Sequence, residues 1–339
     1  MSFLRPSDEP SVAIRQLARW LDADDPAPLL IETSGSTGRP KGVVLSRDAV
    51  VASAESSARR LQASGRWLLA LPSSYVAGVQ VIVRSLLAGH DPLVVDGLGI
   101  ARAAADHRTD TPLFLSLVPT QLHRLLGDPD QLPALTRLHT VLVGGGGLDA
   151  RLRRRAEDTG VRVVVTYGSS ETAGGCVYDG RPLDGVEVTV DDTDRVRIGG
   201  PTLFSHYDGD PQLTAQCLVD GWFLTSDTGR LDETGRLQVT GRIDDVVISG
   251  GVKVAVPAVA ERLREHPLVV DAEVLGVPDP EWGQRVVAVV VGTVADPDLR
   301  DWVGLVHPRS WAPRQFVRVE ALPRLGNGKV DQQALRAAL

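Results

Sequence analysis

Leu113-Phe114-Leu115-Ser116-Leu117-Val118-Pro119-Thr120-Gln121-Leu122-His123-Arg124-Leu125-Leu126 is the stretch that decides the fold. A strand-sized apolar run, 113–118, passes directly into an amphipathic segment, 120–126, with leucines at helical spacing. Outward from it the same pair of elements recurs: 67–71 then 77–88, 93–95 then 100–106, 141–143 then 148–157, and finally 161–165. Such βαβα order implies a parallel sheet covered by helices on both faces.

Beyond residue 180 the rhythm changes. Segments 185–190, 195–198, 222–224 and 236–239 read as short strands. Asp/Gly turns such as Asp191-Asp192-Thr193-Asp194 and Asp232-Glu233-Thr234-Gly235 separate them, as in a small antiparallel β-subdomain. After Gly241-Arg242-Ile243-Asp244-Asp245 come a helix at 257–264, strands at 269–277 and 285–291, a helix at 299–306 and a strand at 315–319. The expected architecture is α/β: a large N-terminal domain, 1–241, with a parallel sheet flanked by helices plus the β-subdomain, a junction at 242–245, and a small α+β C-terminal domain, 246–339.

Composition narrows the function classes. With 339 residues there is length for about two domains. Lys plus Arg number 36 against 43 Asp plus Glu, a net charge of −7 without a basic block, so nucleic acid is a poor guess for a partner. Cys176 and Cys217 stand alone, with no metal-ligand spacing, which fits a reducing cytosol. The first ten residues carry Pro6, Pro10 and acidic side chains where a signal peptide needs an apolar core, and the longest apolar runs, 113–118 and 286–291, fall far short of the ~20 residues of a membrane span. A soluble, unexported protein without stable membrane insertion is the expectation.

The richest chemistry lies in Thr33-Ser34-Gly35-Ser36-Thr37-Gly38-Arg39-Pro40-Lys41-Gly42, between two apolar runs. Its glycines let backbone N–H groups converge on an anion, four hydroxyls add donors and Lys41 adds a cation, a set suited to a polyphosphate. The spacing is not that of a Walker A loop, and β-branched residues follow instead of a helix. A solvated Ser/Gly turn in a hairpin has the same composition.

With five further segments in order, the chain resembles the adenylate-forming superfamily of acyl-CoA synthetases, peptide-synthetase adenylation domains and luciferases, from about 29 to 339. Val143-Gly144-Gly145-Gly146-Gly147 and Thr166-Tyr167-Gly168-Ser169-Ser170-Glu171 are similar to the family's adenine-site segments. Trp222-Phe223-Leu224-Thr225-Ser226-Asp227-Thr228-Gly229 resembles its ribose-binding segment, Gly241–Asp245 its interdomain hinge, and Leu322-Pro323-Arg324-Leu325-Gly326-Asn327-Gly328-Lys329-Val330 its C-terminal lysine loop. The resemblance implies ATP contacts from Thr33, Ser34, Gly35, Ser36, Thr37, Gly38, Lys41, Gly145, Gly146, Tyr167, Gly168, Ser170, Asp227 and Arg242. It also implies Mg²⁺ on Glu171, catalysis by Lys329 and Glu171, a pivot at Asp244, and a mobile C-terminal domain. Ser170 stands where the family usually has Thr, Ser226 where Gly is usual, and Tyr75 where relatives often carry His.

Read singly, these residues have plainer roles. Glu171 follows a parallel strand, where ligand sites lie, but a lone glutamate there is more often solvated. Asp227 suits a β-turn, Arg242 and Asp244 a surface ion pair, and Lys329 a solvated turn.

The phosphate loop begins as early as Thr33, and this, with segments 116–126 and 167–185, resembles the short 2-succinylbenzoate–CoA ligases of actinobacterial menaquinone biosynthesis. Such a substrate carries two carboxylates, and the one not activated needs a polar partner. Tyr75, Ser116, Thr120 and Arg124 are candidates; Arg124 facing solvent beside the leucines is the equal alternative. The resemblance implies that ATP and coenzyme A are co-substrates with Mg²⁺, in the cytoplasm, and allows a homodimer. Other aryl or short-chain acids, acyl transfer to a carrier protein, and a catalytically silent nucleotide-binding module stay open.

Overall fold

The computed structural model describes residues 2–33, 41–97, 99–105, 107, 110–324 and 330–339. Among these, a seven-stranded sheet runs in the order Leu93–Val94, Arg66–Leu69, Leu113–Leu117, Thr140–Val143, Val163–Ser169, Gly174–Tyr178, Arg181–Pro182. The first five strands are parallel, as the alternating pattern predicts. The last two, beyond the stretch read as parallel, are antiparallel. Their connections, one turn at Ser170–Thr172 and another at Asp179 and Gly180, are too short for a parallel crossover, which needs a dozen residues or more.

Both faces of this sheet are covered. On one, Leu68, Leu115, Leu117, Val141 and Val143 pack with Leu122, Leu125 and Leu126 of helix Pro119–Leu126 and Ala156 of helix Ala150–Asp158. On the other, Trp67 stacks on Phe114 with ring centroids 4.8 Å apart. The Arg84 guanidinium, from helix Val76–Leu87, lies 5.1 Å over the Trp67 ring and donates to Tyr178 Oη at 3.2 Å. Ser57, from helix Arg47–Leu61, shares a 2.8 Å hydrogen bond with the same tyrosine. Central strands buried on both faces account for their continuous apolar runs.

The sequence pattern missed helices Pro10–Asp22 and Arg47–Leu61. The first is set by Pro10 in its first turn and by the Glu9 carboxylate accepting from Ser11 and Val12 N–H, and it buries Ala13, Leu17 and Trp20. Leu29–Thr33 and Lys41–Leu45 form an antiparallel pair, and His206–Tyr207 joins the free side of the second strand. The short strands Glu187–Val190, Arg195–Gly199, Leu218–Val219, Trp222–Leu231 and Leu237–Arg242 make the small sheet expected beyond residue 180.

The chain divides into two compact units. One comprises Met1–Thr189, Arg197–Thr225 and Leu231–Leu237; the other comprises Val190–Val196, Ser226–Arg230 and Gln238–Leu339. In the second, strands Val269–Asp279 and Gly283–Gly292 pair along their length, with Gln315–Arg318 parallel beside the latter. Helices Val256–Arg264 and Asp296–Gly304 bury Val259, Leu263, Leu299 and Val303 against Ala272, Val274, Ala288 and Val290. No helix among the described residues is long and apolar enough to cross a membrane.

Candidate active site

Strand Val163–Ser169 leads into the single 3₁₀ turn Ser170–Thr172, which carries Glu171 at the carboxyl edge of the parallel strands. The turn is held from within by Ser169 N–H donating to Thr172 Oγ1 at 2.9 Å and the Thr172 hydroxyl donating to Gly174 O at 2.7 Å. From behind, the carbonyl of Ala173, a residue in the left-handed region at φ 50°, accepts from Gln80 Nε2 at 2.9 Å and Ser53 Oγ at 3.1 Å. A Cβ on Gly168 would sit 2.2 Å from Gly174 O, so only glycine lets these segments close.

In front, Phe204 N–H donates to Glu171 O at 2.8 Å, and the Tyr207 hydroxyl donates to Glu171 Oε1 at 2.8 Å. Tyr207 is 4% exposed, its ring 4.7 Å from that of Phe204. Lys41 Nζ lies 5.6 Å from the centroid of the same ring. Burial, and after it the neighbouring Glu171 and Cys217, hold the Tyr207 phenol well above its usual range, so it is a neutral donor. The fold thus brings Lys41 and Glu171 to one side chain, Tyr207, that the sequence did not single out; nothing in Ser205-His206-Tyr207-Asp208 marks it beyond a neighbouring Asp/Gly turn.

The other expected nucleotide residues fall as follows. Thr33 and Lys41 are directly opposite in the strand pair, and the Thr33 hydroxyl is 3.4 Å from Lys41 O. Ser34, Gly35, Ser36, Thr37 and Gly38, like Lys329, lie outside the described residues. Gly145 and Gly146 are exposed in the loop after Thr140–Val143, Gly145 at φ 77°. A Cβ on neighbouring Gly144 would meet Thr166 Oγ1 at 2.4 Å. Tyr167 is half-buried in its strand and Ser170 is buried.

In the second unit, Asp227 sits in strand Trp222–Leu231, not in the turn its composition suggested, with Oδ1 3.5 Å from Arg242 Nη1. Asp244 lies in the 3₁₀ turn Ile243–Asp245. Of the residues read for the acyl substrate, Ser116 is buried, Tyr75 and Thr120 are half-buried, and Arg124 is exposed while Leu122 and Leu125 beside it are in the core. Cys176 and Cys217 are unlinked, and burial pushes the Cys176 thiol up to about 12, which leaves it inert.

Mg²⁺ prefers one or two carboxylates plus phosphate oxygens and water to an all-protein cage. Glu171 fits the carboxylate part of that donor set. Glu171 offers a hard carboxylate whose Oε2 is not taken by Tyr207, and among the described residues no group of three or more His, Cys, Asp or Glu forms a cage.

Residues 4–206 match the AMP-binding enzyme family and residues 258–329 the AMP-binding enzyme C-terminal domain. A Mycobacterium tuberculosis protein named a probable 2-succinylbenzoate–CoA ligase is 41% identical over 324 residues, 92% of this chain and 84% of that one. The o-succinylbenzoate CoA synthetase of Bacillus subtilis, solved with the acyl-adenylate intermediate OSB-AMP, superposes with a TM-score of 0.80 at 27% identity, covering 91% of this chain and 68% of that one. The amide bond synthetase McbA of Marinactinospora thermotolerans reaches the same TM-score at 28% identity, covering 92% and 69%. Matched by the family over more than half its length, and by one relative nearly end to end, the chain belongs to the AMP-binding enzymes.

Proposed function

We propose that the protein is an ATP-dependent acid–thiol ligase that adenylates 2-succinylbenzoate and passes the acyl group to coenzyme A in menaquinone biosynthesis. The observation that carries this reading is the identity to the mycobacterial ligase across nearly the whole chain. The structural likeness alone is shared with an amide-forming enzyme and does not choose the acceptor.

In the first step a substrate carboxylate oxygen attacks the α-phosphorus of ATP, and pyrophosphate leaves. In the second, CoA thiolate attacks the acyl carbonyl and AMP leaves. Charge accumulates on phosphoryl oxygens in the first step, so cationic and N–H donors aimed there lower its barrier. Lys41, the Thr33–Gly38 loop and Lys329 are assigned to that task. Gly145, Gly146, Tyr167, Gly168 and Ser170 are assigned to the adenine, and Asp227 with Arg242 to the ribose and phosphate. Glu171 would hold Mg²⁺, which when bound neutralises phosphate charge. The second substrate carboxylate is assigned to Ser116, Thr120 and Tyr75, with Arg124 reaching it from the exposed face of its helix.

The C-terminal domain, 246–339, is assigned a turn about Asp244 between the two steps. The same reading takes in a cytoplasmic location and allows a homodimer. The test is a panel of carboxylic acids assayed for AMP formation with CoA and, separately, with an amine acceptor. CoA-dependent turnover highest with 2-succinylbenzoate is expected. Faster turnover of benzoates or fatty acids without a second carboxylate would defeat the substrate, and amine-dependent turnover would defeat the acceptor.

A further inference from the structure

We infer that Tyr207 is a positioning residue: its hydroxyl fixes the Glu171 carboxylate so that the remaining oxygen faces the metal of Mg²⁺–ATP. The inference rests on the proposed function and extends it to a residue outside every motif quoted above.

A glutamate on a one-turn helix has three side-chain torsions, and a carboxylate in water rotates freely among them. Here Oε1 is taken by the Tyr207 hydroxyl at 2.8 Å, which leaves Oε2 as the oxygen for a hard cation. The donor is itself immobile. Its ring is buried against Phe204, its backbone N–H donates to Thr214 Oγ1 at 2.9 Å, and its strand pairs with Val43 and Val44, next to Lys41. Phe204 N–H grips the Glu171 carbonyl at 2.8 Å, so the segment 204–207 holds both the backbone and the side chain of Glu171.

The same ring lies 5.6 Å under the Lys41 ammonium, at the foot of the phosphate loop. Tyr207 therefore ties the carboxylate read for the metal to the strand that follows the loop read for the phosphates. A phenylalanine would preserve the ring, its packing and the cation–π contact, and would free only the carboxylate.

The experiment compares wild type with Tyr207→Phe by calorimetry, using the non-hydrolysable methylene analogue of ATP across a Mg²⁺ series and in EDTA. In the variant the Mg²⁺ midpoint should rise about tenfold, the worth of a hydrogen bond to a charged group, while analogue affinity in EDTA stays as in wild type. Turnover should show the same rise in Mg²⁺ requirement, with much of kcat regained at high Mg²⁺. Phe204→Leu, which loosens the packing but leaves the hydroxyl, should keep the wild-type midpoint.

An unchanged midpoint in Tyr207→Phe, equal losses with and without metal, or an equal shift in Phe204→Leu would each overturn the inference. If wild type itself binds the analogue with no dependence on Mg²⁺, the proposed function falls with it.

Discussion

Gln80 Nε2 donates to the carbonyl of Ala173 at 2.9 Å, and through that bond helix Val76–Leu87 sets the turn that carries Glu171. Gln80 is 1% exposed and also donates to Val50 O at 3.1 Å. Gln80→Leu removes both donors and leaves two buried carbonyls with one partner fewer. A loss of about 1–3 kcal/mol in stability is expected by denaturant titration, together with a fall in kcat for adenylation larger than any change in the KM of the acid.

Glu171→Gln keeps shape and lets the Tyr207 hydroxyl donate to the amide oxygen, so the fold should hold. The loss of charge should lower adenylation by about 10²-fold or more in a pyrophosphate-release assay. Full activity in a folded Glu171→Gln protein would remove Glu171 from the metal site.

Gly250 adopts φ 57°, and a Cβ there would lie 2.5 Å from Trp282 Cε3, an atom of a ring covered by the Arg314 guanidinium at 3.4 Å. Gly250→Ala should destabilise the second unit by roughly 1–3 kcal/mol through strain and overlap. Denaturant titration should show the lowered midpoint, and an unchanged midpoint would remove the overlap as its cause.

Burial raises the Glu273 carboxyl to about 7, with Asp245 and Asp271 adding to the shift and Arg264 opposing it. Because its folded value exceeds its unfolded one, its contribution to stability is complete below about pH 4.5 and is lost as pH rises through about 7. Glu273→Gln, with Gln332 nearby at 3.3 Å, should raise Tm at pH 8 and change it little at pH 5. A Tm gain of equal size at both values would contradict the assignment.

Asp244→Pro fixes φ near −65° within the turn Ile243–Asp245. A pivot there should make the two half-reactions respond unequally, measured separately as adenylate formation and as thiolation of supplied adenylate. An equal slowing of both at unchanged Tm would end the hinge assignment.

Sequence alone determined the parallel sheet, the β-subdomain and the α+β C-terminal unit, because apolar periodicity and turn residues are local and each strand–helix pair declares itself. It also placed Glu171 after a parallel strand. Helices Pro10–Asp22 and Arg47–Leu61 escaped that pattern; the mean hydropathy of the second is low, and it buries Ala and Ser instead of a leucine stripe. Tertiary structure decided what surrounds Glu171. Phe204 and Tyr207 reach Glu171 itself, and Gln80 and Ser53 reach the Ala173 carbonyl just behind it, from segments 33 to 120 residues away in the chain, each through a single hydrogen bond. Such contacts leave no periodic trace in a sequence, since a buried polar side chain is specified by the one partner that satisfies it and that partner is known only after the chain has folded.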